Sequence, residues 1–124
     1  MIEPYKYDDY YHWGIEYENK IVGRIKVTEI SQGDNFAELA YDIASEVRNR
    51  GLMTEAVRAA AKFLFEEVNL NRIYVYILAN NYASNRVAQK VGMKLEGVLR
   101  KHCLQSDGVY VDVNIYGLLK EEYI

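Results

Sequence analysis

The stretch RNRGLMTEA (residues 48–56) decides the fold, because the sequence pattern changes its period there. The preceding segment, FAELAYDIA (residues 36–44), alternates between apolar and polar residues as a strand does. In the following segment apolar residues recur at helical spacing, at Val57, Ala60, Ala61, Leu64 and Val68. A helix start carries unpaired backbone N–H groups and the positive end of the helix dipole, which both favour an anion. Gly51 and two arginines here therefore predict an anion-binding helix start, although the phosphate-loop pattern GxxxxGK(S/T) is absent.

Outward from this point, the changes of period predict one mixed α+β domain over residues 1–124, with the order β-β-β-α-β-α-β-β. The predicted strands are residues 11–18, 21–30, 36–44, 72–79, 94–105 and 109–119, and the predicted helices are residues 53–68 and 83–91. Asn81 is placed to cap the second helix and Gly92 to end it. Asp107 and Gly108 form a hairpin dipeptide between the last two strands.

Composition narrows the classes of function. Of the 124 residues, 50% are apolar and 27% charged, and the net charge of −3 leaves no basic surplus for binding nucleic acid. No apolar run reaches the length of a membrane span and no secretory pattern follows Met1, so we expect no membrane partner and a cytoplasmic location. Cys103 is the one cysteine, and with two histidines the chain offers too few ligands for a structural zinc site. We therefore expect no metal.

A second stretch, NYASNRVAQKVGM (residues 81–93), makes the interpretation specific. Together the two stretches resemble the GNAT family of N-acetyltransferases, whose motifs have the forms (R/Q)-x-x-G-x-(G/A) and N-x-x-(A/S)-x-x-(L/V)-x-x-K-x-G-(F/M). The matching positions are Arg48 and Gly51 in the first form, and Asn81, Ser84, Val87, Lys90, Gly92 and Met93 in the second. Met53 departs from the first form, and Ala88 stands where many relatives carry a tyrosine that protonates the leaving thiolate. The segments MTEA, LEGVLR and DGVYVDVNIYGLL resemble the branch that acetylates the N-termini of ribosomal proteins.

The resemblance implies acetyl-coenzyme A as the co-substrate and gives both helix starts a role. The residues implied to cradle the pyrophosphate, mainly through backbone N–H groups, are Arg48, Asn49, Arg50, Gly51, Leu52 and Met53. Backbone groups of Ile43 and the side chain of Asn81 would bind the pantetheine arm, and Ser84 would lie near the thioester sulfur. The alternative is that Asn81 is only a helix cap and Ser84 only a first-turn serine.

Transfer of an acetyl group to an amine requires a proton donor and a base. Ser84 is the predicted donor, because it lies one turn before Ala88 on the same helix face and near the positive end of the dipole. Glu38 and Asp42 share one face of the third predicted strand and are the candidate bases, acting directly or through water. The alternative for both carboxylates is the plain solvent face of a strand.

The N-terminal part departs from the family pattern. The family begins with a strand and two helices that wall the acceptor site, whereas only MIEPYKYDDY (residues 1–10) precedes the predicted meander. We therefore expect an N-terminally truncated relative, either naturally trimmed or a fragment, whose uncovered surface forms a homo-oligomer. The predicted function is acetyl transfer to a primary amine, either a protein N-terminus or a small amine. The alternative is a coenzyme-A-binding or protein-interaction module that has lost catalysis.

Overall fold

The structure, a computed structural model, describes residues 2–7, 10–48 and 50–123, and for residues 2–7 and 10 it describes the backbone alone. The elements are β1 (Ile2–Tyr7), β2 (Tyr10–Tyr17), β3 (Lys20–Ser31), β4 (Phe36–Ile43), a 3-10 helix (Ser45–Val47), α1 (Leu52–Glu66), β5 (Arg72–Leu78), α2 (Tyr82–Val91), β6 (Lys94–Leu104), β7 (Tyr110–Leu119) and α3 (Lys120–Tyr123). The mixed α+β class and each predicted element are confirmed, and no predicted end differs by more than two residues.

Two further elements lie outside the prediction. β1 pairs antiparallel with β2, with Pro4 opposite Trp13, and α3 is a single turn that follows β7 directly. Proline has no backbone N–H, so within a sheet it is confined to edge strands and strand ends, and it argues against a strand when only the sequence is read. The meander therefore has four antiparallel strands among the described residues, with β1 at the edge.

The described strands form one sheet in the order β1-β2-β3-β4-β5-β7-β6. β4 and β5 are its parallel pair, and α1 lies in the connection between them. Their pairing runs from Phe36 opposite Arg72 to Leu39 opposite Val75, and it stops there although both strands continue. The sheet consequently opens between residues 40–43 of β4 and residues 76–78 of β5.

The core lies between the sheet and the two longer helices. Its largest fully buried side chains are Trp13, Phe65, Ile25, Leu39, Leu64, Ile73, Val57 and Val75. Ala60 and Ala61 of α1 and Ala88 of α2 belong to the same buried cluster, and such small side chains let the helices approach the sheet closely. The sheet face turned away from α1, here called the outer face, carries polar and aromatic residues of β3, β4 and β5 instead.

Candidate functional site

The start of α1 is open to a ligand. Gly51 precedes the helix with φ of +75°, a left-handed conformation that glycine adopts without strain, and no side chain caps the helix. The N–H of Glu55 donates to the carbonyl of Gly51 at 3.0 Å, which leaves the amides of residues 52–54 without an acceptor inside the helix. A Cβ added at Gly51 would meet no atom within 4 Å, so the space beside this turn is empty. The geometry therefore fits the predicted anion-binding turn.

The residues before Gly51 differ in burial and in whether they line the cleft. Val47, at the end of the 3-10 helix, is buried and lines the cleft described below. Arg48 is exposed and also lines that cleft, whereas Arg50 is exposed and is not among the lining residues. Asn49 lies outside the described residues. Of the two arginines in the predicted cradle, Arg48 is therefore the one that faces the cleft.

The start of α2 is closed by its own side chain. The Oδ1 atom of Asn81 accepts the backbone N–H of Ser84 at 3.2 Å, which confirms Asn81 as the helix cap. Asn85 is buried, and its amide donates to the carbonyls of Leu78 at 3.0 Å and of Asn81 at 2.7 Å. Its Oδ1 atom accepts from Tyr116 Oη at 2.9 Å. This network, absent from the sequence prediction, fixes the first turn of α2 against β5 and β7.

The two helix starts and the end of β4 line one cleft, which is open to solvent. The predicted site residues that line it are Asp42, Ile43, Arg48, Gly51, Leu52, Met53, Asn81 and Ser84. Arg86 and Lys90, on the face of α2 that turns to the cleft, also line it. Since Asp42 is paired with Arg24 at 3.3 Å, the cleft has a positive surplus in a chain of net charge −3. That surplus suits a polyanionic ligand.

The gap between β4 and β5 is a second opening, adjacent to the cleft. Residues of the core face, such as Val75, and of the outer face, such as Tyr76, both line it. Tyr41, Asn81 and Ser84 line both the cleft and this gap. These three residues therefore mark the junction through which a molecule in the cleft could be reached from the opening in the sheet.

Tyr41 is a site residue that sequence reasoning missed. Its hydroxyl donates a hydrogen bond of 2.8 Å to the carbonyl oxygen of Ser84, across the cleft from β4 to α2. Burial, and to a lesser extent the neighbouring Tyr116, raise the pKa of Tyr41. In the sequence Tyr41 is one more strand tyrosine, and its partner lies 43 positions away.

The two candidate bases are separated by the structure. Asp42 lines the cleft, whereas Glu38 lines neither the cleft nor the gap and sits earlier on β4, opposite Tyr74 of β5 and Glu29 of β3. Burial is the main reason that the pKa of Glu38 is raised, Thr28 opposes it through a hydrogen bond, and the charge of Glu29 adds to it. A raised pKa suits a base at neutral pH, while a position in the cleft favours Asp42.

Comparison with known proteins assigns the family. Residues 1–94 match the family model described as the acetyltransferase (GNAT) domain, so the chain belongs to the GNAT acetyltransferase family. It is 33% identical over 110 residues to the uncharacterized N-acetyltransferase YoaA of Bacillus subtilis (strain 168), covering 87% of this chain and 62% of YoaA. It is 28% identical over 99 residues to the ribosomal-protein-serine acetyltransferase of Escherichia coli (strain K12), covering 80% of this chain and 55% of that enzyme.

A solved structure extends the likeness to a complex. The microcin C7 self-immunity acetyltransferase MccE, in complex with acetyl-CoA and AMP, matches with a TM-score of 0.77 and 27% identity, covering 87% of this chain and 59% of MccE. The family resemblance read from residues 48–56 and 81–93 is thereby confirmed. The chain spans less than two thirds of the length of each of these three proteins.

The described residues lack two further features. None of their helices is long and apolar enough to cross a bilayer. Nor does the described part of the chain bring three or more histidine, cysteine, aspartate or glutamate side chains together as potential metal ligands.

Proposed function

We propose that the chain is an acetyl-CoA-dependent N-acetyltransferase that moves an acetyl group to a primary amine by direct attack. The observation that carries this proposal is the junction of two openings: the cleft, with its open helix start, meets the gap in the sheet at Tyr41, Asn81 and Ser84. A donor in the cleft and an acceptor in the gap would meet at this junction. Membership of the GNAT family and the acetyl-CoA bound in MccE support the choice of donor.

The cleft fits coenzyme A in charge and in backbone geometry. The amides at the start of α1, with the loop of residues 48–53, would hold the pyrophosphate, and Arg48, Arg86 and Lys90 would add positive charge. Residues 40–43 of β4, including Ile43, continue past the last pair with β5, so their backbone groups on that side could bind the pantetheine arm as an added strand would be bound. Asn81 would contact the same arm. When bound, acetyl-CoA supplies an activated acetyl group.

The chain supplies the proton transfers. Ser84 is the proposed donor to the departing sulfur, because it lies at the junction and its first-turn position places it near the positive end of the helix dipole. Glu38 or Asp42 is the proposed base for the amine, directly or through water. These roles rest on the geometry above and on the family resemblance.

The acceptor remains one of two classes, a protein N-terminus or a small amine. One relative is named for ribosomal-protein serine and another, at 27% identity, for spermidine, so the relatives support both classes. We also propose a homo-oligomer, because large apolar side chains of the last hairpin are exposed, at Leu95, Val98, Leu104, Val109 and Tyr110. The cytoplasmic location expected from the sequence stays part of the proposal. Light scattering across a concentration series is expected to give more than a monomer mass, and a monomer at every concentration would refute the oligomer.

The rival function is a coenzyme-A-binding or protein-interaction module without catalysis. A free-thiol release assay with acetyl-CoA, a panel of small amines and a panel of peptides separates the two. Thiol release that depends on the acceptor supports the enzyme. Binding of acetyl-CoA without release on any acceptor supports the rival and contradicts the proposed function.

A further inference from the structure

The hydroxyl of Tyr41 links β4 to α2 at the junction of the cleft and the gap. Tyr41 lies on β4 and Ser84 in the first turn of α2, and a hydrogen bond of 2.8 Å links the Tyr41 hydroxyl to the Ser84 carbonyl. A carbonyl oxygen has two lone pairs, so Ser84 can accept this bond in addition to its bond within the helix. The side-chain hydroxyl of Ser84 is left available to a ligand, because no hydrogen bond of the described residues uses it.

Tyr41 is suited to forming a permanent hydrogen bond, here called the Tyr41–Ser84 tie, rather than to transferring a proton. Burial raises its pKa, so the phenol keeps its proton throughout the neutral range and the hydrogen bond persists there. The aromatic ring also packs against the core cluster, which fixes the direction in which the hydroxyl points. The Tyr41–Ser84 tie therefore joins a side chain that is held by packing on β4 to one particular carbonyl oxygen on α2.

We propose that Tyr41 is a positioning residue, whose hydroxyl holds the first turn of α2 at a set distance from the open edge of β4. This inference rests on the proposed function, in which Ser84 protonates the sulfur while β4 binds the pantetheine arm. The donor atom and the binding edge lie on different elements, so something must fix their separation. A displacement of about 1 Å is enough to cost on the order of a hundredfold in rate in well-oriented active sites.

The test is Tyr41→Phe, which removes the hydroxyl and keeps the ring. We expect kcat to fall about tenfold or more, while the Kd for acetyl-CoA changes less than about threefold, because the proposed phosphate-binding contacts lie at α1. The matched control is Tyr82→Phe, the same chemical change on a tyrosine that is 80% exposed two residues before Ser84. The control is expected to keep the wild-type rate.

A double-mutant cycle with Ser84→Ala distinguishes positioning from a general loss of stability. If Tyr41 acts through Ser84, the double variant should be little slower than the slower single variant, since the effects share one step. Rate losses that multiply, or a wild-type rate in Tyr41→Phe, would overturn the proposal.

Amide hydrogen exchange tests the Tyr41–Ser84 tie in a way that does not depend on enzymatic activity. In Tyr41→Phe, the amides of the first turns of α2 are expected to exchange faster than in the wild type, while those of α1 stay unchanged. Unchanged exchange in α2 would overturn the inference by itself. If exchange rises but the wild-type chain releases no thiol with any acceptor, the proposed function fails while the tie stands as a structural contact.

Discussion

Two helices begin at the same cleft, and their starts are built in opposite ways. α1 begins after Gly51 with no side-chain cap, so its first amides face empty space. α2 begins at Asn81, whose side chain takes the amide of Ser84. Both starts have a positive dipole end, but the second has one of its first-turn amides, that of Ser84, already bonded to a side chain.

Under the proposed function, this difference would let one cleft both hold a charged carrier and perform the chemistry. An uncapped start with Arg48 beside it is a place to bind phosphate groups. The capped start has its Ser84 amide bonded to Asn81, and it presents the side-chain hydroxyl of Ser84 at the junction. Under the proposed function, binding and proton donation belong to separate helices, and each can be tested without disturbing the other.

The largest expected effect comes from charging the open start. Gly51→Asp should abolish the rise in melting temperature that acetyl-CoA is expected to cause in the wild type, because the new carboxylate would repel the pyrophosphate and obstruct its approach to the backbone. Thermal unfolding with and without acetyl-CoA measures this.

The matched control is Gly51→Asn, which has nearly the same shape without the charge. Asparagine tolerates a left-handed conformation better than most residues, so the strain at φ of +75° is similar in the two variants. Gly51→Asn should keep part of the shift. A full shift in Gly51→Asp would mean that the phosphate groups bind elsewhere.

The next largest effect is expected at the capped start. Ser84→Ala should lower kcat by about ten- to a thousandfold, within or just below the usual range for one acid–base group. The Kd for acetyl-CoA should change little, because the proposed phosphate contacts lie at α1. Steady-state rates together with equilibrium binding separate the two parameters, and a wild-type rate would assign the donor to water or to another residue.

A smaller effect is expected from the cap itself. Asn81→Ala should lower the free energy of unfolding by about 1 kcal/mol, because the amide of Ser84 loses its acceptor. Asn81→Ser should recover most of the loss, since serine caps a helix nearly as well. Denaturant unfolding of the three proteins checks this, and an alanine variant as stable as the wild type would show that the cap contributes nothing.

The smallest effect concerns Glu38 on β4, the strand that precedes α1. Its pKa is raised in the folded chain, mainly by burial, so ionising it costs stability as the pH rises through that pKa. Glu38→Gln should therefore unfold at a slightly higher temperature than the wild type near pH 7, and the difference should vanish near pH 4 and below. A gain that is equal at both pH values would contradict the shift.

The same variant also chooses between the candidate bases. If Glu38 is the base, Glu38→Gln should lose most turnover, while Asp42→Asn keeps it. The reverse result would assign the role to Asp42, which lies in the cleft.

The sequence predicted what depends on local pattern, and it missed what depends on long-range contact. The change of period, the glycine at residue 51 and the cap at Asn81 are local, and all were readable. β1 was not predicted, because Pro4 interrupts the strand pattern. Tyr41 and Arg86 were not predicted as site residues, because their place in the cleft depends on how β4 and α2 meet. No spacing within one segment encodes that contact.

The most direct test of the account is an NMR titration of the isotope-labelled chain with acetyl-CoA, observed at the backbone amides. The account predicts that the largest shift changes occur at residues 52–54, whose amides have no partner in the helix, and that the amide of Ser84, already bonded to Asn81, changes less. Largest changes at the start of α2, or no change at either start, would contradict it.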